Sequence, residues 1–247
     1  MPVTVTISIV SHGHGALIDL LIADLAKMSL HNDIDLKLLV TKNIADEDWA
    51  PTHSGLDITV VSNPLPRGFG ANHNAAFAMT DSDYFIVCNP DVRLPLDFSL
   101  NALLSEVPRL GLLSPKILNE KGQLEDFYRA DLSVLNLVKR KILNWDDSNA
   151  EDACWVAGIF MVFNAHSFTE VGGFDEGYFM YVEDCDLCKR LSMIGGSVDV
   201  SKGVSVIHNA QRASRKNLRH MFWHISGLFR YWLRNFSFLF RLKNTNG

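Results

Sequence analysis

An α/β fold with a mostly parallel central sheet flanked by helices is predicted by three observations on this 247-residue chain. Short β-rich apolar runs alternate with segments of helical period. Polar loops follow the first, third and fourth of those runs, where open α/β sheets bind ligands. Hydrophobic content of 47% beside 21% charged residues suits one large folded core, alone or with an appendage.

The elements follow in chain order. Val3–Val10 reads as a strand ending at Ser11-His-Gly-His-Gly15, and residues 17–28 carry an amphipathic helix through Leu17, Leu20, Leu21, Asp24 and Leu25. Leu36–Val40 and Ile58–Val61 are further strands; Gly70–Met79 is helix-like and Tyr84–Cys88 a buried strand. Leu100–Val107 reads as a helix and Gly111–Leu118 as a strand closed by an Asn119–Gly122 turn, while Asp126–Trp145 is mixed. Glu183, Asp184 and Asp186 open a helix running through Leu187 and Leu191, and the β-like Val204–Ile207 delivers His208. Beyond about residue 215, Leu218, Phe222, Ile225, Phe229, Trp232, Leu233 and Phe236 fall at helical spacing with Arg219, Arg230 and Arg234 interleaved. The chain thus divides into an α/β unit, 1–214, and a basic, aromatic, helical tail, 215–247.

Charge follows that division. The formal net charge is -5, yet Asp199 is the last acidic residue and nine of the 23 Lys+Arg lie beyond it. Such a tail suits an anionic surface. Nucleic acid is a poorer partner, because the loops that would form the cleft are acidic. The four cysteines imply no disulfide framework; Cys185-x-x-Cys188 lacks a second ligand pair for zinc and reads as core. No secretory signal precedes Thr4, so the expected compartment is cytoplasmic. The longest apolar run, Ala153 to Phe163, is too short to span a bilayer.

Three clusters carry chemistry. Glu183 and Asp184 lie in an apolar, aromatic segment, where Phe174, Tyr178, Phe179 and Tyr181 can keep water from a proton-accepting carboxylate. Asp186 reads instead as a helix cap paired with Arg190. Asn89-Pro-Asp91 ends a strand and either presents Asp91 to a hard cation or forms a simple turn. Asn63–Asn74 sets Arg67, Gly68, Gly70 and Asn72 at a helix start, either an anion site or a plain glycine turn. It lacks the third glycine of a dinucleotide fingerprint, which disfavours an oxidoreductase. His208 is a metal ligand only if Asp91 is near; His12 and His14 are loop residues beside the site, and the other histidines are expected in solvent.

In order, Asn89-Pro-Asp91, Trp155–Met161, Val171–Glu176 and Phe179–Leu187 resemble family 2 inverting glycosyltransferases of the GT-A fold. The likeness spans about residues 4–235 and is nearest to bacterial rhamnosyltransferases of O-antigen and cell-wall assembly. It implies a Rossmann-like central sheet with C-terminal amphipathic helices, and a nucleotide-sugar donor, dTDP-L-rhamnose in the first place. It implies a divalent cation, Mg2+ or Mn2+, on Asp91 and His208. Asp184 would be the base and Glu183 would orient the acceptor. Donor contacts would come from Ser11, His12, Arg67, Gly68, Asn72, Asn89, Asp91 and Gly158. The acceptor would be a saccharide on a polyprenyl diphosphate. The tail would hold the protein peripherally on the inner membrane face, or else pack on the catalytic domain or in a homodimer. One departure concerns the end of the second strand. Many members have Asp-Asn there, whereas this chain has Val40-Thr-Lys-Asn43, leaving a UDP- or GDP-sugar donor as an alternative; together with Asn89, where the family's Asp-x-Asp motif has its first Asp, it also leaves a non-catalytic glycan-binding role.

Overall fold

The computed structural model describes residues 2–28, 34–44, 47–52, 55–143, 153–209 and 218–244. The expected boundary between residues 214 and 215 lies outside them, as do Trp145, Arg212, Arg215 and Lys216 and the side chains of Leu218, Phe236, Arg241 and Lys243.

Strands β1 (Val3–Ser11), β2 (Ile34–Lys42), β3 (Asp57–Ser62) and β4 (Tyr84–Cys88) stand where the apolar runs predict them. They are joined by helices α1 (Gly15–Lys27) and α2 (Phe69–Phe77). The remaining elements are β5 (Val92–Arg93), α3 (Leu100–Ser105), β6 (Gly111–Leu118), β7 (Tyr128–Ala130), α4 (Val134–Ile142), β8 (Ala153–Val156), β9 (Phe160–Asn164), α5 (Ala165–Glu170), α6 (Glu183–Met193), β10 (Ser197–His208) and α7 (Leu218–Asn244).

Eight strands form one sheet in the order β3-β2-β1-β4-β9-β6-β10-β5. The pairs among β3, β2, β1 and β4 are parallel, as is β6 with β10. The antiparallel insertion is β9, between β4 and β6, and β5 runs antiparallel along β10. Val5, Ile7 and Ile9 alternate with the equally buried Thr6 and Ser8, so β1 is covered on both faces as parallel strands usually are. The apolar run 153–163 is two strands rather than one, broken by the turn at Gly158; Phe160–Phe163 are at most 2% exposed.

Several polar side chains take structural places. Asp24, on the buried face of α1, receives Arg93 Nε and Nη2 at 2.5 and 2.8 Å, tying that helix to β5. Asp186 pairs with Arg190 at 2.7 Å, as the helix spacing predicts, and accepts the Tyr178 hydroxyl at 3.2 Å. Cys185 and Cys188 are buried, and burial pushes both thiols up. His73 corrects the expectation of solvated histidines. It is fully buried beside Phe69 and Phe174, its Nδ1 lies 2.8 Å from Ser8 Oγ, and burial lowers its pKa to about 3.

Because β6 and β10 share the direction of β1–β4, the carboxyl ends of all six strands lie along one edge of the sheet. The turn before β9 meets them there, with Asn89 N–H donating to Ile159 O at 2.9 Å. Tyr231 of α7 packs in a small cluster with Leu132, Tyr178, Val182 and Cys185. Among the described residues, no helix is long and apolar enough to cross a membrane.

Candidate active site

At that edge opens a cleft of about 510 Å³. Asn89, Pro90 and Asp91 reach it from the end of β4, Trp155 from β8, Ala157–Ile159 from the β8–β9 turn, and Glu183 and Asp184 from the start of α6. His12 and His14 border it, with Phe69, Arg129, Leu137, Arg140, Tyr181 and His224.

The carboxylate pair is presented by unusual backbone. Tyr181 and Val182 are consecutive non-glycine residues in the left-handed region, at φ 70° and 72°. For a β-branched valine that conformation costs on the order of 1–3 kcal/mol and persists only where surrounding contacts enforce it. Those contacts come from α2 and α7. Phe69 N–H donates to Phe179 O at 2.8 Å, and the Tyr181 hydroxyl lies 2.7 Å from His220 Nδ1. Gly227 approaches so closely that a Cβ there would stand 3.0 Å from Tyr181 O. Asp175, a few residues earlier, accepts Arg230 Nε and Nη2 at 3.0 and 2.8 Å and also pairs with Arg234.

Asp184 then accepts Gly158 N–H on Oδ2 at 3.0 Å and Cys185 N–H on Oδ1 at 2.8 Å. Burial raises its pKa and those amides oppose the rise, leaving a net upward shift. Glu183 is 6% exposed, and its Oε2 has no hydrogen-bond partner. Burial, and then the charge of Asp184, push its carboxyl well above the usual range. Two adjacent carboxyls thus favour one proton between them, the arrangement of an acid–base site.

Asp91 is the other pole. Its Oδ1 is buried without a partner, and its Oδ2 lies 3.4 Å from His208 Nε2. Behind the imidazole, His208 Nδ1 lies 2.8 Å from Glu125 Oε2. Burial pulls the His208 pKa down, but the two carboxylates outweigh it and the net shift is upward. Among the described residues no three or more His, Cys, Asp or Glu side chains form a full metal cage. An orphaned carboxylate oxygen beside an imidazole braced by a second carboxylate nevertheless fits a divalent cation whose remaining ligands are substrate phosphates.

The structure thus brings Asp184, Glu183, Asn89, Asp91, Gly158 and His12 to one cleft, with His208 against Asp91. His12 is half-buried, 3.2 Å from Asn43 Nδ2, and burial followed by its neighbour His14 holds its pKa down. Besides His208, which stands behind Asp91, four sequence candidates lie outside the cleft lining. Ser11 is buried and hydrogen-bonds Glu47. Arg67 turns toward Glu176, 3.7 Å away. Gly68 starts α2 with its backbone against the carbonyl of Tyr178. Asn72 is buried, donating to Gly68 O at 3.0 Å and accepting from Asn63 at 2.6 Å. Asn43 completes that lattice: its Oδ1 accepts Arg67 N–H at 2.8 Å and its Nδ2 donates to Arg67 O at 2.8 Å. The first amide of α2, Phe69 N–H, is taken by Phe179 O.

The aromatic collar also differs in membership. Phe174 packs into the core against Phe69 and Phe168, and Phe179 stacks on Trp223. Trp155, Phe69 and Tyr181 are the rings that line the cleft. Glu125, Arg129, Arg140 and His224 were not singled out by sequence, since each reaches the site from a segment without a local motif.

No protein-family model matches the chain. It is 32% identical over 253 residues to the rhamnosyltransferase WbbL of Escherichia coli (strain K12), covering 93% of each chain. It is also 32% identical over 161 residues to an N-acetylglucosaminyl-diphospho-decaprenol L-rhamnosyltransferase of Mycobacterium tuberculosis (strain ATCC 25618 / H37Rv), 58% of this chain and 52% of that one. Among solved structures, the mannosyltransferase PcManGT from Pyrobaculum calidifontis in complex with GDP-Man and Mn2+ aligns at a TM-score of 0.63 with 15% identity, over 95% of this chain and 65% of that one. GalNAc-T7 with UDP, GalNAc and Mn2+ aligns at 0.68 with 13% identity, over 94% and 48%. Both are GT-A glycosyltransferases, and the likeness establishes that fold for the present chain.

Proposed function

We propose that this chain, which belongs to the rhamnosyltransferase family and is a glycosyltransferase, moves L-rhamnose from dTDP-L-rhamnose to a saccharide on a polyprenyl diphosphate, inverting the anomeric carbon. The work is done at the inner face of the cell membrane, in bacterial surface-polysaccharide synthesis. The observation that carries the reading is the convergence of Asp184 and Asp91 on one cleft.

In this reading Asp184 is the base. An acceptor hydroxyl attacks the anomeric carbon, the bond from that carbon to the diphosphate oxygen breaks, and the hydroxyl proton passes to Asp184. The amides of Gly158 and Cys185 fix both carboxylate oxygens, so the base needs no reorganisation at the moment of transfer. Glu183, whose carboxyl burial and then the charge of Asp184 push well above the usual range, hydrogen-bonds and orients the acceptor. Trp155, Phe69 and Tyr181 exclude water. Asp91 and His208 would hold the divalent cation, Mg2+ or Mn2+, which would supply positive charge to the departing diphosphate. Glu125 fixes the His208 ring. His12, Asn89 and Gly158 contact the donor, with Arg129 and Arg140 near its phosphates. Ser11, Arg67, Gly68 and Asn72 serve the donor indirectly, through the loop lattice they build.

Calorimetry with dTDP-rhamnose, UDP-sugars and GDP-sugars, with and without Mn2+, tests the donor. Metal-dependent binding of dTDP-rhamnose in preference to the others is expected. Preference for a UDP- or GDP-sugar would overturn the rhamnose assignment and leave a different hexosyl donor.

A further inference from the structure

Half of the large apolar side chains left exposed on the described surface belong to α4, its C-cap and α7. On α4, Val134, Val138 and Ile142 recur every four residues and are 45–73% exposed. On α7, Phe222, Ile225, Phe229 and Leu233 recur at intervals of three and four and are 59–67% exposed. Each set forms a single stripe along its helix.

The opposite faces of both helices are fastened to the cleft. Leu137 of α4 and His224 of α7 line it, and Leu137 packs in the same small cluster as Tyr231 and Trp232. Trp232 Nε1 donates to Leu132 O at 2.8 Å, and the Tyr231 hydroxyl donates to Asp131, so the residues just before α4 are pinned to α7. The two stripes therefore belong to one rigid frame around the cleft. Charge is equally one-sided: from Leu132 to Leu143 the chain has Lys139, Arg140 and Lys141 and no acid, and α7 has basic residues and no acid.

We infer that α4 and α7 together form a platform that docks on an anionic lipid bilayer, with both stripes in the interface and the cleft held at headgroup level. The inference rests on the lipid-linked acceptor proposed above, whose saccharide would project from the bilayer into the cleft between Leu137 and His224. Apolar stripes on segments whose only charged residues are basic complement anionic lipid. A second copy would bring together segments of the same net charge, which disfavours a symmetric self-contact.

The test uses the full chain and phosphatidylcholine vesicles with and without about 30% phosphatidylglycerol, enough to give an anionic surface. Co-sedimentation is measured for the wild type, a Val138→Ser/Ile142→Ser pair and a Phe222→Ser/Phe229→Ser pair. Binding to the anionic vesicles should fall roughly tenfold or more in each pair and weaken with salt. Calorimetric binding of dTDP-rhamnose should be unchanged, which separates loss of docking from misfolding and from failure of the donor assignment. Equal binding to neutral vesicles, no binding at all, or indifference to the α4 pair would overturn the inference. So would a concentration-dependent dimer that the Phe222/Phe229 pair abolishes, which would make the face a self-interface.

Discussion

Glu183→Gln exchanges a buried carboxyl for a neutral side chain of nearly the same shape, so its effect isolates a protonation equilibrium. Glu183 is 6% exposed with an unpartnered Oε2, and burial, reinforced by Asp184, raises its pKa in the folded state. In the unfolded chain a glutamate titrates near about 4.3. Below that value both states hold the proton and stability is unaffected. As pH rises toward the raised folded value, the folded state keeps a proton that the unfolded state has released, and stability falls. The slope is at most about 1.4 kcal/mol per pH unit for one proton. The Gln variant lacks that slope. Between pH 5 and 7 its advantage over wild type should grow by up to about 2.7 kcal/mol, with each kcal/mol appearing as roughly 2–4 °C in Tm for a chain of this size. Paired thermal melts at pH 5, 6, 7 and 8 measure it. A variant less stable than wild type, or a difference that does not change with pH, would refute the reasoning. Activity supplies a second reading: if the group works protonated, Gln should keep more transfer than Ala.

Asp175→Asn should loosen α7 without unfolding the sheet. Its contacts with Arg230 and Arg234 are hydrogen-bonded, but both guanidinium groups are nearly half exposed, so the expected loss is only about 1 kcal/mol; faster amide exchange confined to α7 and residues 175–182 would confirm it. Burial raises the Asp175 pKa, but Arg230 leads the opposing interactions and the net shift is downward, so this contribution holds above the unfolded value and is lost as pH falls through the folded one. Glu125→Gln should weaken Mn2+ binding roughly 10–100-fold by removing the carboxylate behind His208; unchanged affinity by calorimetry would free Glu125 of that role.

Much of the fold was legible because its parallel strands announce themselves. Tyr84–Cys88 and Gly111–Leu118 match observed strands, and Val3–Val10 falls one residue short. The inserted β9 was not legible, since Phe160–Phe163 is apolar on both faces and has no alternation to read. At the site, Glu183, Asp184, Asn89 and Asp91 stood out by local pattern. Glu125 reaches His208 across 83 residues, a pairing visible only once β6 and β10 lie side by side. In the loop around Arg67 the sequence leaves an anion site and a glycine turn both open, and the contact of Phe69 N–H with the carbonyl of Phe179, far along the chain, could not be read from it. His73 lies on a short helix with weak amphipathic pattern, so nothing in the sequence marks it as buried.

The most direct test of the account is Asp184→Asn, assayed side by side for transfer to a lipid-linked acceptor and for donor binding. The variant keeps the side chain's shape but cannot take the acceptor proton. Transfer should fall by roughly 10²–10⁴-fold, while donor affinity stays within about threefold because the donor's contacts are not removed. Transfer retained at near wild-type rate would contradict Asp184 as the base, and with it the chemistry assigned to the cleft.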